Sequence, residues 1–293
     1  MKIIILGANG MLGHTLFIKF SENPIYNVYG TLRDNEYKKY FDLRLQKKLL
    51  IGVDANNFTS IEKTIFDIKP NLIINCIGMI KQKPESNKIE EMYRINSTIP
   101  NLLCNICEIY NIRMIHVSTD CVFKGDEGNY NEGSRTDATD EYGKSKLKGE
   151  ISDKKNVLTL RTSIVGHELN SNYSLLEWFL SQKNEVQGFK TAIFSGLTTI
   201  ELFNVIDEYI IKKKNLYGLF HVGGFTIDKF SFLKAVAEIY NKKINIIPSQ
   251  KLIINRSLDS SLFIEKTGYI KPNWYKMLID LYNFRCSQKK LNY

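Results

Sequence analysis

A short apolar run, Lys2-Ile3-Ile4-Ile5-Leu6, passes directly into Gly7-Ala8-Asn9-Gly10-Met11-Leu12-Gly13 and then into a helix-like stretch from Gly10 to Phe20. Few arrangements constrain a fold more. The run is too short for a signal-peptide core and reads as a buried strand. The glycines permit a tight turn and let backbone N–H groups approach a pyrophosphate at a helix N-terminus, where partial positive charge collects. Gly7, Asn9, Gly10, Met11, Leu12 and Gly13 are therefore expected to line a dinucleotide site. His14, one residue further on, reads as a surface residue of the helix.

The rest of the first half repeats this unit. Strands are expected at Asn27 to Leu32, Ile51 to Asp54, Asn71 to Ile77, Arg113 to Ser118 and Val157 to Ile164. Helices are expected at Phe58 to Ile68, Ile89 to Tyr110 and Asp140 to Ser152. Apolar strands alternating with helices imply an α/β fold, a Rossmann doubly wound parallel sheet covered on both faces, with ligands at the carboxyl ends of the strands. After Gly166 the alternation loosens. Helices are expected at Leu175 to Ser181, Thr199 to Lys212 and Asp228 to Tyr240, with short strands at Gly218 to Val222 and Ile244 to Ile247. The expected division is a dinucleotide-binding domain over 1–166 and a smaller, mainly substrate-binding lobe over 167–293, with some segments returning to the first domain. A chain of 293 residues accommodates both.

The second strand ends Thr31-Leu32-Arg33-Asp34. An acid near this point suits the ribose 2′-hydroxyl of NAD, whereas Arg suits the 2′-phosphate of NADP. Because Arg33 comes first, the pattern points to NADP and to NADPH over NADH. Asp54, at the end of the expected third strand, is placed either to accept a hydrogen bond from the adenine amino group or to cap the following turn.

The chemistry is expected further along. His116-Val117-Ser118-Thr119-Asp120-Cys121-Val122-Phe123 closes the fifth strand, and Tyr142-Gly143-Lys144-Ser145-Lys146 follows on a helix. Positions four apart share a helix face, so Tyr142 and Lys146 can enter one cavity. A phenol ordinarily titrates near 10, and a neighbouring ammonium would bring it towards neutral pH. Thr119 could then hold a carbonyl oxygen against the phenol. Spacing alone does not establish this, because Tyr209 and Lys213 repeat it at the end of an apolar run.

The glycine turn, Ser118-Thr119-Asp120-Cys121-Val122-Phe123, Tyr142-Gly143-Lys144-Ser145-Lys146-Leu147 with Gly149-Glu150, and Leu160-Arg161-Thr162-Ser163 together resemble the extended short-chain dehydrogenase/reductase family. Within it they resemble the dTDP-4-dehydrorhamnose reductase branch, and the similarity continues through Gly218-Leu219-Phe220-His221-Val222. The resemblance implies NADPH-dependent reduction of the C4 ketone of a nucleotide-linked 4-keto-6-deoxyhexose. Tyr142 would be the proton donor, Lys146 would tune it and bind the nicotinamide ribose, and Thr119 would bind the keto oxygen. Asn96 would support the proton relay or serve as a buried structural amide. Lys81 and Gln82, beyond the fourth strand, are candidates for substrate contact or plain surface charge. Arg256 would clamp the substrate pyrophosphate or form an ordinary salt bridge.

Cys121 stands where the branch commonly has Tyr. Related epimerase–reductases use a cysteine nearby as an epimerisation acid, so a bifunctional enzyme is one reading, with His167 the nearest candidate partner base. The other is a small residue that enlarges the pocket, for instance for an N-acetyl group at sugar C2. A further alternative is a non-catalytic NADP-binding regulatory subunit, as in the β subunit of methionine adenosyltransferase.

Composition narrows the partners. The net charge of +9 is spread along the chain, which suits anionic small ligands and shows no nucleic-acid module. No apolar run approaches the ~20 residues of a membrane span, so a cytoplasmic location without membrane contact is expected. The five cysteines are odd in number and mostly within apolar segments, as free thiols would be in a reducing compartment. Cys104-x-x-Cys107 lacks a second pair or a His cluster, so no metal site is expected. Family resemblance allows a homodimer, although core packing explains the apolar helix stripes as well.

Overall fold

A computed structural model describes residues 1–80 and 86–291. Its centre is a seven-stranded sheet in which every neighbouring pair is parallel. The strands are β1 (Lys2–Leu6), β2 (Asn27–Leu32), β3 (Leu49–Ile51), β4 (Leu72–Asn75), β5 (Arg113–Thr119), β6 (Val157–Thr162) and, drawn from the second half of the chain, Gly218–His221. Across the sheet the order is Gly218–His221, β6, β5, β4, β1, β2, β3. Chain order therefore reverses at β1, which lies between β4 and β2. Beyond the carboxyl ends of the strands, such a reversal is where sheets of this kind bind ligands.

The apolar runs explain why both faces are covered. Strand side chains alternate, so Ile3 and Ile5 enter one core with Leu72 and Ile74, while Ile4 and Leu6 enter the other with Ile73 and Met114. A strand buried on both sides has no polar face to spare.

Several boundaries differ from those expected, each with a local cause. The third strand is Leu49–Ile51 rather than Ile51 to Asp54, because Gly52 adopts φ +83° and turns the chain. The helix expected from Ile89 to Tyr110 is helical throughout but widens to a π-turn over Arg94–Thr98, between Ser86–Tyr93 and Ile99–Ile109. Pro100 follows at the start of the third segment. Having no N–H, it cannot bond the carbonyl of Asn96, and the register slips there. The helix of Tyr142 runs only Glu141–Lys148, with Asp140 capping Gly143 N at 2.8 Å. Beyond it, Gly149 lies so close to Asn96 that a Cβ would stand 2.0 Å from the Asn96 carbonyl oxygen. Gly218–His221, expected among the short strands of the second half, pairs with β6 and extends the main sheet.

The second half also forms small ladders. Asn245–Ser249 pairs with Glu185–Phe189, and Ala192–Phe194 lies between Ile227–Asp228 and Ile254–Asn255. Trp274–Leu291, unread in the sequence, is a helix whose Met277, Leu278 and Leu281 join the larger core. No helix among the described residues is long and apolar enough to cross a membrane. Nor do those residues bring together three His, Cys, Asp or Glu side chains in a metal-holding group.

Candidate active site

The glycine turn sits at the sheet's reversal point. Gly7 adopts φ +79°, and its N–H donates to the Thr31 hydroxyl at 3.0 Å while Ala8 N donates to Thr31 O at 2.9 Å. A Cβ on Gly13 would lie 2.0 Å from the Gly7 carbonyl oxygen, so only glycine allows the first helical turn to close on the strand end. Helix α1 (Met11–Glu22) begins with Gly10 as N-cap, and no side chain caps it. Its first N–H groups thus lie at the reversal, a cradle that fits a dinucleotide pyrophosphate. Asn9 and Met11 are half-buried along the turn, and Leu12 is buried. His14 is not the surface residue expected. It is buried, its Nδ1 lies 2.9 Å from Gly10 O, and loss of hydration pushes its pKa down to about 4.

Arg33 extends from the end of β2 with its side chain largely exposed and its Nε 2.9 Å from Asp34 Oδ2. Asp54 also contributes to the field around Arg33. Because β3 stops early, Asp54 lies in the turn, where Oδ1 accepts from Asn56 N at 2.9 Å.

Thr119 is the last residue of β5, and Tyr142 meets it because of the residue between them and the sheet. A Cβ on Gly143 would stand 2.2 Å from the Cys121 carbonyl oxygen, so the helix rests flush on the strand end. Tyr142 is half-buried, and burial raises its pKa above the usual phenol range. The Cys121 thiol adds to the rise and the Thr119 hydroxyl opposes it. Lys146 is 5% exposed and donates to Val117 O at 2.7 Å. The expected relation between the pair is therefore corrected. The ammonium is directed at a backbone carbonyl, and the leading influences on the phenol are its burial, Cys121 and Thr119. Removing the phenolate from water dominates, and Tyr142 stands as a neutral acid.

Lys146 carries its own strain. Burial lowers its pKa to about 8, with Glu150 acting in the opposite sense. Its folded pKa lies below the ordinary lysine value of about 10.4, so the penalty is fully present below pH ~8 and disappears as pH rises past ~10. Lys146→Met is accordingly expected to be more stable than the parent by about 1–3 kcal/mol at pH 7, the advantage shrinking at pH 10. Urea melts at the two pH values check this, and equal or lower stability at pH 7 would contradict it.

Asn96 lies in the π-turn, fully buried. Its Nδ2 donates to Met79 O and to Ser145 Oγ, both at 3.0 Å, and its Oδ1 accepts from Met79 N at 2.9 Å. These bonds join the segment after β4 to the Tyr142 helix. Lys81 and Gln82 lie outside the described residues.

Arg256 reaches the site from the opposite end of the chain. Its Nε donates to Phe123 O at 2.8 Å and its Nη1 to Cys121 Sγ at 3.3 Å. Burial, reinforced by Asp120, raises the Cys121 thiol to about 11, while Arg256 and Thr119 pull the other way. His167 does not serve Cys121. Its Nδ1 lies 2.6 Å from Glu177 Oε1 and its Nε2 2.8 Å from Tyr240 OH, with Arg285 also against Glu177. Tyr209, the look-alike of Tyr142, packs edge-on against Tyr269 at 5.3 Å.

Sequence reasoning missed four participants. Gly143 was legible only as part of a motif. Asp120 is buried beside Thr119, with Oδ1 accepting the Thr119 hydroxyl at 3.2 Å. Glu150 and Arg161 form a buried bidentate pair at 2.8 and 2.7 Å.

The RmlD substrate binding domain family model matches residues 1–269. A dTDP-4-dehydrorhamnose reductase of Aggregatibacter actinomycetemcomitans is 26% identical over 234 residues, which are 76% of this chain and 73% of that protein. The probable low-salt glycan biosynthesis reductase Agl14 of Haloferax volcanii is 31% identical over 151 residues. That match covers 51% of this chain and 48%, about half, of its own length. Among solved structures, the dTDP-4-dehydrorhamnose reductase of Bacillus anthracis in complex with NADP superposes with a TM-score of 0.77 at 22% identity, over 97% of this chain and 99% of that one.

Proposed function

We propose that this chain, which belongs to the RmlD substrate binding domain family, reduces the C4 ketone of a nucleotide-linked 4-keto-6-deoxyhexose with NADPH. The observation that carries the reading is the seating of Gly143 on the Cys121 carbonyl, which holds Tyr142 against Thr119 at the end of β5, two strands across the sheet from β1 and its glycine turn. When bound, NADPH supplies the hydride. The chain's part is to deliver a proton and to orient the ketone.

Tyr142 holds its proton on the phenol oxygen at neutral pH and is placed to give it to the developing alkoxide. Thr119 is placed to donate its hydroxyl hydrogen to the keto oxygen, fixing which face is presented. Lys146, one turn further along the Tyr142 helix and anchored on Val117 O, would hold the cofactor ribose. The cradle of Gly7, Gly10 and Gly13 would hold the pyrophosphate, and Arg33 the 2′-phosphate.

Two measurements test the reading. A panel of 4-keto-6-deoxyhexoses on dTDP, UDP and GDP is expected to give NADPH oxidation, with the dTDP-4-keto-rhamnose type or its UDP-linked 2-acetamido counterpart turned over fastest. NADPH binding without turnover of any member would leave a regulatory nucleotide-binding subunit. Loss of a charge-assisted contact of about 1.5–3 kcal/mol predicts that Arg33→Ala raises KM for NADPH roughly tenfold or more while leaving NADH unchanged. An equal change for both coenzymes would remove Arg33 from the phosphate site. We also place the enzyme in the cytoplasm with a nucleotide sugar as its partner, and propose a homodimer, which sedimentation of the purified chain checks.

A further inference from the structure

Arg256 is held in the site with unusual firmness for a residue so distant in sequence from Cys121. Asn255 N donates to Gly125 O at 2.6 Å, Tyr130 N to Ser257 O at 2.9 Å and Asp259 N to Tyr130 O at 2.7 Å. These bonds latch the Arg256 segment to the loop that follows Phe123. The packing is close: a Cβ on Gly125 would meet the Arg256 Cγ at 2.8 Å, and one on Gly128 the Asn255 amide at 2.1 Å. With its Nε on Phe123 O, the guanidinium directs Nη1 to the Cys121 sulfur. The sulfur lies 3.6 Å from Asp120 Oδ1, the same oxygen that accepts the Thr119 hydroxyl, and Cys121 N donates back to Thr119 Oγ1 at 3.1 Å.

We propose that Arg256, Cys121 and Asp120 form a positioning chain that sets the direction of the Thr119 hydroxyl, with the Cys121 thiol as its middle link rather than a proton donor to a sugar carbon. A hydroxyl has one hydrogen. While that hydrogen points at Asp120, Thr119 shows a ketone only lone pairs. The Cys121 S–H shares Asp120 Oδ1, and Arg256, donating to the sulfur, strengthens that S–H as a donor. Together they weaken the carboxylate's hold and let the hydroxyl turn to an arriving keto oxygen. Removal of the thiol leaves Thr119 bound to Asp120 more tightly. Burial is the main cause of the thiol's weak acidity, and its place in this chain adds to it, since the carboxylate opposes the thiolate more than the guanidinium supports it. The kinetic consequence rests on the ketoreductase reading; the arrangement of the three groups does not.

The test has two arms. In the first, a keto-sugar nucleotide is reduced in D₂O by the parent, Cys121→Ala and Cys121→Ser. Loss of a link worth about one hydrogen bond predicts a kcat roughly tenfold lower for Cys121→Ala, with KM for NADPH unmoved. Cys121→Ser, which keeps a donor and an acceptor, is expected to recover to within about threefold of the parent. No deuterium is expected at the carbons flanking C4. Deuterium incorporated by the parent and lost in both variants would make the thiol an epimerisation acid and overturn the proposal, as would full activity of Cys121→Ala. In the second arm, alkylation of Cys121 by iodoacetamide at pH 8 is followed peptide by peptide, with Cys286 as the internal reference. Only the thiolate reacts, so Asp120→Asn is expected to speed Cys121 alkylation and Arg256→Met to slow it, each by about threefold or more, with Cys286 unchanged. Equal rates in all three proteins would dissolve the chain. If the parent turns over no keto sugar, the ketoreductase reading fails alone and the alkylation arm still decides.

Discussion

Tyr142→Phe is expected to lower kcat for ketone reduction by roughly 10²–10⁴, the usual worth of a positioned acid, while NADPH affinity stays at the parent value. The split follows from where the hydroxyl sits. The ring is gripped by the helix that Gly143 seats on the Cys121 carbonyl, so Phe keeps the packing and loses only the oxygen. That oxygen meets Thr119, and the pyrophosphate cradle is built from other residues, so the cradle is untouched. Burial keeps the phenol protonated well above neutral pH, and kcat of the parent should therefore show no fall through pH 7–9 from loss of this proton. Lys146, which titrates near 8, is the group expected to shape that range: activity should decline as its charge is lost with rising pH. Steady-state kinetics of the two proteins from pH 6 to 9, with NADPH binding followed by fluorescence, measure all of this. Turnover by Tyr142→Phe within tenfold of the parent would remove the tyrosine from the reaction.

The contrast between Tyr142 and Tyr209 explains how much of the site the sequence contained. Both have Lys four residues on, and periodicity cannot separate them. The flanking Ser118-Thr119 and the glycine turn do, because they are local signatures of strand ends. The parallel sheet was legible for the same reason, since β1 and β4 carry apolar runs that only a strand buried on both faces needs. Less visible were features that depend on pairs distant in sequence. The engagement of His167 with Glu177 and Tyr240, the burial of His14 and the approach of Arg256 to Cys121 each require knowing how the second half returns to the first. The π-turn at Arg94–Thr98 lies between these cases: Pro100 announces a fault in the helix, but not its form.

Arg161→Met is expected to destabilise the fold by about 3–5 kcal/mol, the cost of leaving one charge of a buried pair uncompensated. Arg161 and Glu150 have side chains only 6% exposed and meet through two parallel bonds. Around them, Ser118 Oγ donates to Glu150 Oε1 at 2.6 Å, His221 Nε2 lies 3.3 Å from Arg161 Nη1, and the guanidinium stacks over Phe123 at 5.3 Å. One pair thereby ties β5, β6 and the Gly218–His221 strand to the residue just past the Tyr142 helix. Methionine fills much of the volume but leaves the carboxylate with Ser118 as a neutral donor. The double variant Arg161→Met/Glu150→Leu removes both charges and should regain most of the loss, because the desolvation of two ions is then avoided. Its remaining defect should appear in catalysis, since Glu150 supports the charge on Lys146 and without it the ammonium should titrate lower still. Denaturant melts of the parent, both single variants and the double form the cycle. A loss below about 1 kcal/mol for Arg161→Met, within the range of an exposed pair, would contradict the burial on which the argument stands.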